Sequence, residues 1–495
     1  MISTTPSGDD TDTVVIGGER RRGLPYDLVS PSTGRVFARA SAGSQADLDE
    51  AVTAARGALP RWRALGPEGR APILHAVADA VDAASRELVE LVARQNGMPV
   101  RVGRSSEGVV GPRLLRQYAQ LAVEALAPRS RPRAGGGRTL VQREPHGVTA
   151  VIVPWNFPLS LALFKIAPAL AAGNTVVWKP APETVLDAAR VAEIAAEAGL
   201  PAGVLSVVPG DREIGAALVA HPGVDRVAFT GSSGAGAAIA QECGRMLRPV
   251  GLELGGKSAA IVLDDADLLA HAQAFFGATL LNSGQTCYLS TRILLPRARA
   301  EEFTAQIAAL VRALPIGDPL DPATALGPLV SRGHRERVRG FVERARTAGA
   351  RVVQGTGAGA LPVPDEGWYE SPTVFADVDP ASELAREEVF GPVLALTSYD
   401  SLEEALMLAN DSDYGLAGTV WSQDEARAVE VASRVESGTC GVNGFRIDAD
   451  APFGGIRRSG IGVELGEEGL LETTRTRTIY ASFADAASDS IPAST

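Results

Sequence analysis

Cysteine and histidine are scarce in this sequence, and their scarcity excludes several classes of protein. Only three cysteines, Cys243, Cys287 and Cys440, are spread over 495 residues, too few and too scattered for a disulfide framework. The five histidines show no metal-ligand spacing with one another or with the cysteines, so we predict no metal site. This composition fits a reducing, cytoplasmic environment.

An excess of positive charge and long apolar runs are also missing. The formal net charge is −12, which argues against nucleic acid or an anionic membrane as a partner. No stretch approaches the length and apolarity of a membrane span, and residues 1–13 are polar and acidic, unlike a secretion signal. We therefore expect a soluble intracellular protein that binds neither nucleic acid nor membrane.

Aromatic residues make up only 5% of the chain, whereas glycine occurs 53 times. This balance is typical of α/β packing with many small side chains and argues against a β-sandwich. The chain of 495 residues is too long for one compact core, and its length predicts about three domains.

Short apolar runs alternate with helical patterns in the middle of the chain. The runs predict strands at 148–153, 175–178, 204–208 and 226–229. The segments between them predict helices at 159–172, 186–198 and 213–220. This alternation indicates a doubly wound parallel sheet, which binds ligands at the carboxyl ends of its strands. Residues 259–440 repeat the alternation and predict a second α/β domain.

Two residues have the chemistry of a nucleophile and a base. Cys287 closes the sequence Gly-Gln-Thr-Cys, and Glu253 lies in Leu-Glu-Leu-Gly-Gly-Lys. A thiolate attacks electrophilic carbon and later leaves again, which suits a covalent intermediate. A desolvated carboxylate holds its proton more tightly, so it can accept a proton from water near neutral pH. Taken alone, each feature is weak evidence: a lone cysteine in an apolar context is more often a buried packing residue, and Glu253 could be a structural carboxylate that pairs with Lys257.

Further motifs occur in a fixed order around this pair. They are PWNFP at 154–158, KP at 179–180, FTGS at 229–232, EEVFGP at 387–392 and PFGG at 452–455. Together with the segments of Glu253 and Cys287, this series closely resembles the aldehyde dehydrogenase superfamily. The resemblance extends from about residue 14 to about residue 479, nearly the whole chain.

The resemblance implies oxidation of an aldehyde to a carboxylic acid with NAD(P)+. Cys287 would form a thiohemiacetal and, after loss of hydride, a thioester that water hydrolyses. Asn156 would stabilise the oxyanion together with the Cys287 backbone N–H, and Glu253 would activate the water. Cys243 and Cys440 are interpreted as packing residues.

The resemblance also implies a set of cofactor-binding residues. Lys179 would bind the adenosine ribose, and N–H groups at Gly231 and Ser232 would face the pyrophosphate. Glu388 would bind the nicotinamide ribose, and Phe390 would pack near the ring. The complete predicted set is Ile152, Pro154, Trp155, Lys179, Glu183, Gly210, Gly231, Ser232, Glu388 and Phe390.

One position departs from the family pattern. The family often has a glutamate three residues after the ribose-binding lysine, where it binds both ribose hydroxyls and repels a 2′-phosphate. Here that position is Pro182, and Glu183 comes one residue later. Either Glu183 takes over the role, or discrimination against NADP is weakened. We expect NAD as the cofactor, with NADP as an alternative.

By family position, a mainly apolar and aromatic set of residues would line the substrate tunnel. These residues are Phe157, Leu161, Phe164, Leu281, Thr286, Tyr288, Phe445 and Phe453. Such a lining favours a hydrophobic aldehyde over a dicarboxylate semialdehyde, although Arg446 leaves room for an anionic group.

The expected fold is α/β, with two doubly wound domains and a small β arm. A Rossmann-like NAD(P)-binding domain would be formed by residues 14–125 and 145–254. A catalytic thiol domain would be formed by residues 255–472. The other segments are predicted as oligomerisation strands at 126–144 and 473–484 and as disordered tails at 1–13 and 485–495. Within the arm, the alternating pattern at residues 139–144 predicts an edge strand. The pattern at residues 475–480 predicts an exposed strand, which could pair with a second subunit in a homodimer or homotetramer.

Three other interpretations fit the sequence less well. Residues 251–258 satisfy the phosphate-binding pattern G-x-x-x-x-G-K-[ST], but the β-like run that follows and the charge of Glu253 argue against a P-loop. A non-catalytic scaffold would be expected to have lost Cys287, Glu253 or Asn156, and all three are present. A CoA-acylating relative would commonly lack the base at Glu253.

Overall fold

The computed structural model describes residues 12–134, 136–355 and 360–481. The predicted tail at 485–495, residues 1–11 of the other predicted tail and the last three residues of the segment 473–484 lie outside these ranges.

The described chain alternates strands and helices along most of its length. The strands are β1 (Val14–Ile16), β2 (Glu19–Arg21), β3 (Leu24–Val29), β4 (Val36–Ala42), β5 (Arg129–Pro132), β6 (Arg138–Pro145), β7 (Val148–Ile152), β8 (Thr175–Lys179), β9 (Leu205–Val207), β10 (Arg226–Thr230), β11 (Val250–Glu253), β12 (Ala259–Val262), β13 (Arg292–Pro296), β14 (Arg351–Gln354), β15 (Thr373–Ala376), β16 (Val393–Tyr399), β17 (Gly418–Trp421), β18 (Gly441–Val442), β19 (Gly460–Ile461) and β20 (Thr474–Ala481).

The helices fall between these strands and after them. They are α1 (Gln45–Ala64), α2 (Gly66–Ala83), α3 (Ser85–Asn96), α4 (Val100–Ser105), α5 (Val110–Ala125), α6 (Pro158–Ala172), α7 (Leu186–Glu197), α8 (Arg212–Ala220), α9 (Ser233–Arg245), α10 (Ala272–Thr279), α11 (Ala300–Arg312), α12 (Arg332–Thr347), α13 (Glu383–Arg386), α14 (Leu402–Asn410), α15 (Glu425–Ala432) and α16 (Gly466–Glu472).

The first large sheet has eight strands in the order β19-β11-β10-β7-β8-β9-β1-β2. Its five central strands are parallel, and the outer strands β1, β2 and β19 are antiparallel. Alternate residues of β7 belong to different hydrophobic clusters: Val151 packs on one face of the sheet, Ala150 and Ile152 on the other. Burial on both faces explains the unbroken apolar sequence of these strands.

The second large sheet has seven strands in the order β14-β15-β16-β13-β12-β17-β18. All neighbours are parallel except the edge pair β14 and β15. Again Ala260 and Val262 pack in one cluster, whereas Ala259 and Ile261 pack in another. The expected fold class, α/β with two doubly wound parallel sheets, is therefore confirmed.

A three-stranded antiparallel sheet forms the arm, in the order β20-β6-β5. The prediction that residues 139–144 form an edge strand is wrong, because β6 pairs with β20 on one side and β5 on the other. The alternating pattern that suggests a half-exposed strand does not reveal how many neighbours the strand has. Glu144 in β6 is ion-paired with Arg475 and Arg477 of β20, which fixes opposite charges across the two strands.

Within the described ranges, no helix is long and apolar enough to cross a bilayer.

Candidate active site

Cys287 follows a stretch of strained backbone. Asn282, Ser283 and Gly284 have φ values of 52°, 57° and 78°, so three consecutive residues occupy the left-handed region. For Asn and Ser this conformation costs energy, and it persists only where surrounding contacts enforce it. At Gly284 a Cβ atom would lie 2.1 Å from the carbonyl oxygen of Gly391. Glycine is therefore required there by both its φ angle and its close contact.

Buried hydrogen bonds hold this stretch in place. The Ser283 hydroxyl donates to the Gly327 carbonyl at 2.9 Å, and the Val330 N–H donates to the Gln285 side-chain oxygen at 3.0 Å. Gln285 also donates from its side chain to the Asn282 carbonyl at 3.2 Å. These contacts tie the thiol loop to the segment that precedes α12 and offset the strain.

Asn156 reaches the thiol loop from the first sheet. It follows β7 and precedes α6, and its amide Nδ2 donates to the Gln285 carbonyl at 3.0 Å. Its own carbonyl accepts from Asn282 Nδ2 at 3.1 Å and from Asn96 Nδ2 at 3.4 Å. The sequence argument missed Asn96 and Asn282, because their role arises from contacts between distant segments.

Cys287 is a half-buried residue, and the surroundings of its thiol oppose ionisation. Burial raises the pKa of the Cys287 thiol, and the carboxylates of Glu388 and Glu253 raise it further. The thiol therefore carries its proton at neutral pH until a reaction removes it. Cys243 is buried in a hydrophobic cluster and Cys440 packs against another, in keeping with their predicted packing role.

Glu253 is the last residue of β11 and is 5% exposed. Both oxygens of its carboxylate are buried without a hydrogen-bond partner among the described residues. Burial raises its pKa well above the ordinary value; the charge of Glu464 raises it further, and that of Lys165 opposes the rise. A proton therefore has unusually high affinity for this carboxylate, as a general base acting near neutral pH requires.

Lys165 and Glu464 adjoin Glu253 and were missed by the sequence analysis. The Lys165 ammonium is 2.6 Å from a Glu464 oxygen and donates to the Thr230 hydroxyl at 2.5 Å. A signal was present for Lys165, since it is the only charged residue of the entirely buried helix α6. Glu464 had no local signal, because its partners lie far away in sequence.

The predicted cofactor residues of the first sheet lie at the carboxyl ends of parallel strands or shortly after them. Ile152 and Lys179 end β7 and β8, Gly210 follows β9, and Gly231 and Ser232 follow β10. Ser232 caps helix α9, with its side-chain oxygen accepting from Ala235 N at 3.3 Å. A Cβ at Gly231 would lie 2.4 Å from the Phe229 ring, so this turn is closed to larger residues.

Lys179 is 6% exposed, and its ammonium donates to the Pro180 carbonyl at 3.2 Å. Burial lowers its pKa to about 8, while the charges of Glu183 and Asp211 oppose that shift. Glu183 therefore lies within electrostatic reach of Lys179, although Pro182 stands in the usual glutamate position. These residues fit a dinucleotide, because the lysine retains donor capacity at the strand end where the ribose would lie.

Glu388 and Phe390 approach from the segment between α13 and β16. A Glu388 oxygen accepts from the Gly256 N–H at 3.0 Å, and a Cβ at Gly255 would lie 2.5 Å from the other oxygen. Burial raises the pKa of Glu388 to about 7. The Phe390 ring meets the Trp155 ring edge-on, with centroids 5.6 Å apart. Trp155, which follows β7 of the first sheet, is thus in contact with Phe390, which precedes β16 of the second sheet. Both residues are predicted to bind the cofactor.

The predicted tunnel residues share one hydrophobic cluster with the thiol. Tyr288 and Phe445 stack with centroids 4.6 Å apart and an interplanar angle of 26°. Thr286 donates from its hydroxyl to the Leu281 carbonyl at 3.2 Å. Arg446, next to Phe445, is exposed. Members of the cluster include Phe157, Leu161, Phe164, Leu281, Cys287, Tyr288, Phe445 and Phe453.

The alternative P-loop does not have the required geometry. Strand β12 begins directly after Ser258, where a P-loop would begin a helix. Glu253 does not form a structural pair with Lys257, since Glu464 and Lys165 are the charged groups that act on its carboxylate. Across the described parts of the chain, no group of three or more His, Cys, Asp or Glu side chains could hold a metal ion.

The sequence profile described as the aldehyde dehydrogenase family matches residues 19–479. The chain belongs to the aldehyde dehydrogenase family. It is an NAD(P)-dependent enzyme that oxidises aldehydes to carboxylic acids.

Several relatives of this aldehyde dehydrogenase carry more specific names. It is 50% identical over 456 residues to the geranial dehydrogenase of Castellaniella defragrans, covering 92% of this chain and 95% of that protein. It is 39% identical over 463 residues to the NADP/NAD-dependent aldehyde dehydrogenase PuuC of Escherichia coli, covering 92% of each. The structure of a Mycobacterium tuberculosis aldehyde dehydrogenase complexed with NAD+ matches with a TM-score of 0.92 and 40% identity, covering 97% of this chain and all of that one.

The strained loop gives a direct test of how the thiol is positioned. In Gly284→Ala the methyl group would overlap the Gly391 carbonyl, and the left-handed conformation would cost roughly 1–2 kcal/mol. We expect a lower melting temperature and a loss of turnover on the order of 10²-fold, because small displacements of a reacting group are costly. The matched control is Gly277→Ala in α10, where the Cβ would meet nothing within 4 Å. Unchanged turnover in Gly284→Ala would contradict this account.

Proposed function

We propose that this aldehyde dehydrogenase oxidises hydrophobic aldehydes to free acids through a covalent intermediate on Cys287. The observation that carries the proposal is the position of the thiol in a largely aromatic and aliphatic cluster, beside the stacked Tyr288 and Phe445. The 50% identity to a geranial dehydrogenase supports geranial and similar branched, apolar aldehydes as the first substrates to examine.

In the proposed reaction, the sulfur of Cys287 bonds to the aldehyde carbon, the carbonyl π-bond opens onto oxygen, and the thiol proton passes to solvent water. The negative charge that develops on the aldehyde oxygen is stabilised by the Asn156 amide and the Cys287 N–H. A preformed donor of this kind contributes about 2.7–4 kcal/mol. A bound NAD(P)+ would supply the hydride acceptor, and loss of hydride from the carbon attached to Cys287 would leave a thioester. Lys179 and Glu388 are proposed to hold the two riboses.

Glu253 is proposed to take a proton from water as that water attacks the thioester. The bond between carbon and sulfur then breaks, the acid leaves, and the released thiolate takes up the proton held by Glu253, which restores both the thiol and the base. Lys165 and Glu464 are proposed to tune the base, since their charges act on its carboxylate in opposite directions. Hydrolysis to a free acid distinguishes this reaction from transfer of the acyl group to CoA.

We further propose a cytoplasmic homo-oligomer. All three cysteines are free thiols, in keeping with a reducing compartment. Strand β20 is an edge strand of the arm, with most of its side chains exposed. Such an edge leaves N–H and C=O groups available to a strand of a second subunit.

Replacement of the base should separate the two half-reactions. Glu253→Gln should slow thioester hydrolysis by roughly 10²–10⁴-fold, whereas acylation still gives one rapid burst of NAD(P)H. Because the base must be ionised, wild-type hydrolysis should rise with pH through the raised pKa of Glu253, and the variant should lose this dependence. Stopped-flow absorbance and mass spectrometry of the acylated Cys287 peptide measure both effects. Cys287→Ala is the control without a burst, and normal steady-state turnover of Glu253→Gln would assign the base elsewhere.

The departure at Pro182 should appear in cofactor choice. NAD should be preferred while NADP is used measurably, because the usual carboxylate next to the ribose is missing. Pro182→Glu should make the enzyme stricter for NAD, since a carboxylate there would repel a 2′-phosphate. Glu183→Gln should increase the use of NADP if Glu183 has taken over part of the role. The measurement is kcat/KM with each cofactor.

The matched control for these cofactor variants is Glu197→Gln, the same chemical change on an exposed part of α7. If the wild-type enzyme discriminates against NADP by more than about 10³-fold (about 4 kcal/mol), the prediction that its discrimination against NADP is weakened is wrong. Wild-type selectivity retained in Glu183→Gln would exclude a contribution of Glu183.

Substrate preference can be measured with a homologous series. Each additional methylene that is buried contributes about 0.8 kcal/mol, so kcat/KM should rise about fourfold per carbon from propanal to heptanal. Geranial should be a better substrate than succinic semialdehyde, and Phe445→Ala should flatten the series by removing one side of the aromatic stack. A flat series for the wild type, or preference for the semialdehyde, would reject the hydrophobic assignment while leaving the thiol mechanism intact.

A further inference from the structure

Lysine is almost absent from this protein. Among its 47 lysines and arginines, only Lys165, Lys179 and Lys257 are lysines. Their exposures are 2%, 6% and 2%, so all three are interior residues. The surface cations are therefore arginines, and lysine occurs only where a compact point charge is buried. A guanidinium cannot replace such a charge in a small site.

Two of these lysines have an evident role. Lys165 is paired with Glu464 beside the proposed base, and Lys179 lies at the proposed ribose site. Lys257 has no such assignment. No hydrogen bond or ion pair joins its ammonium to another residue in the described parts of the chain. A buried charge without a partner is costly, so its surroundings need an explanation.

A second buried cation lies close to Lys257. Arg292, in β13, is 7% exposed and donates to the carbonyls of Leu408 and Ala409 at 2.6 and 2.8 Å. These partners are neutral, so they satisfy N–H groups without balancing the charge. The Nε of Arg292 and the hydroxyl of Ser258 are both buried and have no acceptor or donor among the described residues.

Lys257, Ser258 and Arg292 all contribute to the wall of one small cavity. It has a volume of about 10 Å³, which is room for a single small particle such as one water molecule or one monatomic ion. Its wall includes Lys257, Ser258, Arg292, Ser412, Tyr414 and Glu436. The one carboxylate in this wall, Glu436, is already ion-paired with Arg457. The cavity is therefore small, polar and bordered by two cations without a dedicated counter-ion.

We propose that this cavity is a binding site for one small monovalent anion of the halide class, held by Lys257, Arg292 and Ser258. A carboxylate or phosphate ligand would exceed the available volume. The site lies outside the proposed catalytic groups and does not depend on the hydrophobic substrate. It is nevertheless close to the proposed cofactor site, because Lys257 follows Gly256, whose N–H binds Glu388.

Binding of the anion should be linked to protonation of Lys257. Burial, together with the charge of Arg292, lowers the pKa of Lys257 to about 7, while the charges of Glu388 and Glu387 oppose the shift. Because an anion stabilises only the charged lysine, halide should stabilise the fold more at pH 6 than at pH 8.

Other charges face the same region and bear on this linkage. Arg292 itself experiences the charges of Asp411 and Arg386, which are paired with each other at 2.6 Å. Burial raises the pKa of Tyr414, and the charges of Glu388 and Glu387 raise it further, so Tyr414 stays neutral over this range.

The direct test is a crystal of the wild-type enzyme soaked in sodium bromide, measured at the bromine absorption edge. An anomalous peak between Lys257, Arg292 and Ser258 is expected. A water molecule or empty density there at saturating bromide would overturn the proposal.

The solution test compares melting temperatures in sodium bromide and in sodium gluconate, an anion too large for the cavity, at equal ionic strength. Bromide should give the larger, saturable increase, and more so at pH 6. Lys257→Met should lose this increment, whereas Lys179→Met, another buried lysine without an ion pair, should retain it. If Lys257→Met does not fold, Ser258→Ala serves instead and should weaken the bromide response. An undiminished bromide response in Lys257→Met, or in Ser258→Ala where Lys257→Met does not fold, would disprove the site.

Discussion

The hydrogen bond from the Asn156 amide to the Gln285 carbonyl joins the two halves of this protein at their reactive edges. Asn156 lies between strand β7 of the first sheet and helix α6, whereas Gln285 lies on the loop that carries the thiol. Because Asn282 reaches back to the Asn156 carbonyl, the two segments are tied in both directions. The left-handed backbone before Cys287 is tolerated only within this network. Loss of these contacts would relax the strained backbone and would disturb the alignment of the thiol with Asn156, the proposed oxyanion donor.

Desolvation sets the chemistry of the groups around that joint. The same burial raises the pKa of Glu253, Glu388 and the Cys287 thiol and lowers the pKa of Lys179 and Lys257. Burial thus favours the protonated form of the two carboxyl groups and the thiol, and the deprotonated form of the two lysines. The site can therefore exchange protons near neutral pH without maintaining many separate ion pairs. Lys165 is also buried, and its ammonium lies 2.6 Å from an oxygen of Glu464, a partner of opposite sign.

Sequence reasoning reached the α/β fold class because strands buried on both faces are uninterrupted apolar runs, as in β7 and β8. It was wrong about residues 139–144, which form the centre of the arm. Strand β6 pairs with both β5 and β20, and β20 lies more than 300 residues after β6 in the sequence. No local pattern records how many neighbours a strand will have.

The sequence alone determined the family and the identity of the proposed thiol, base and amide, because chemistry requires particular residue types and these stand in characteristic local motifs. It could not identify Asn96, Lys165, Glu464 or the surroundings of Lys257. Their significance comes from which distant groups they meet and from how much water is excluded. Only the folded chain decides those quantities, since hydrogen bonding and desolvation act through space and not along the sequence.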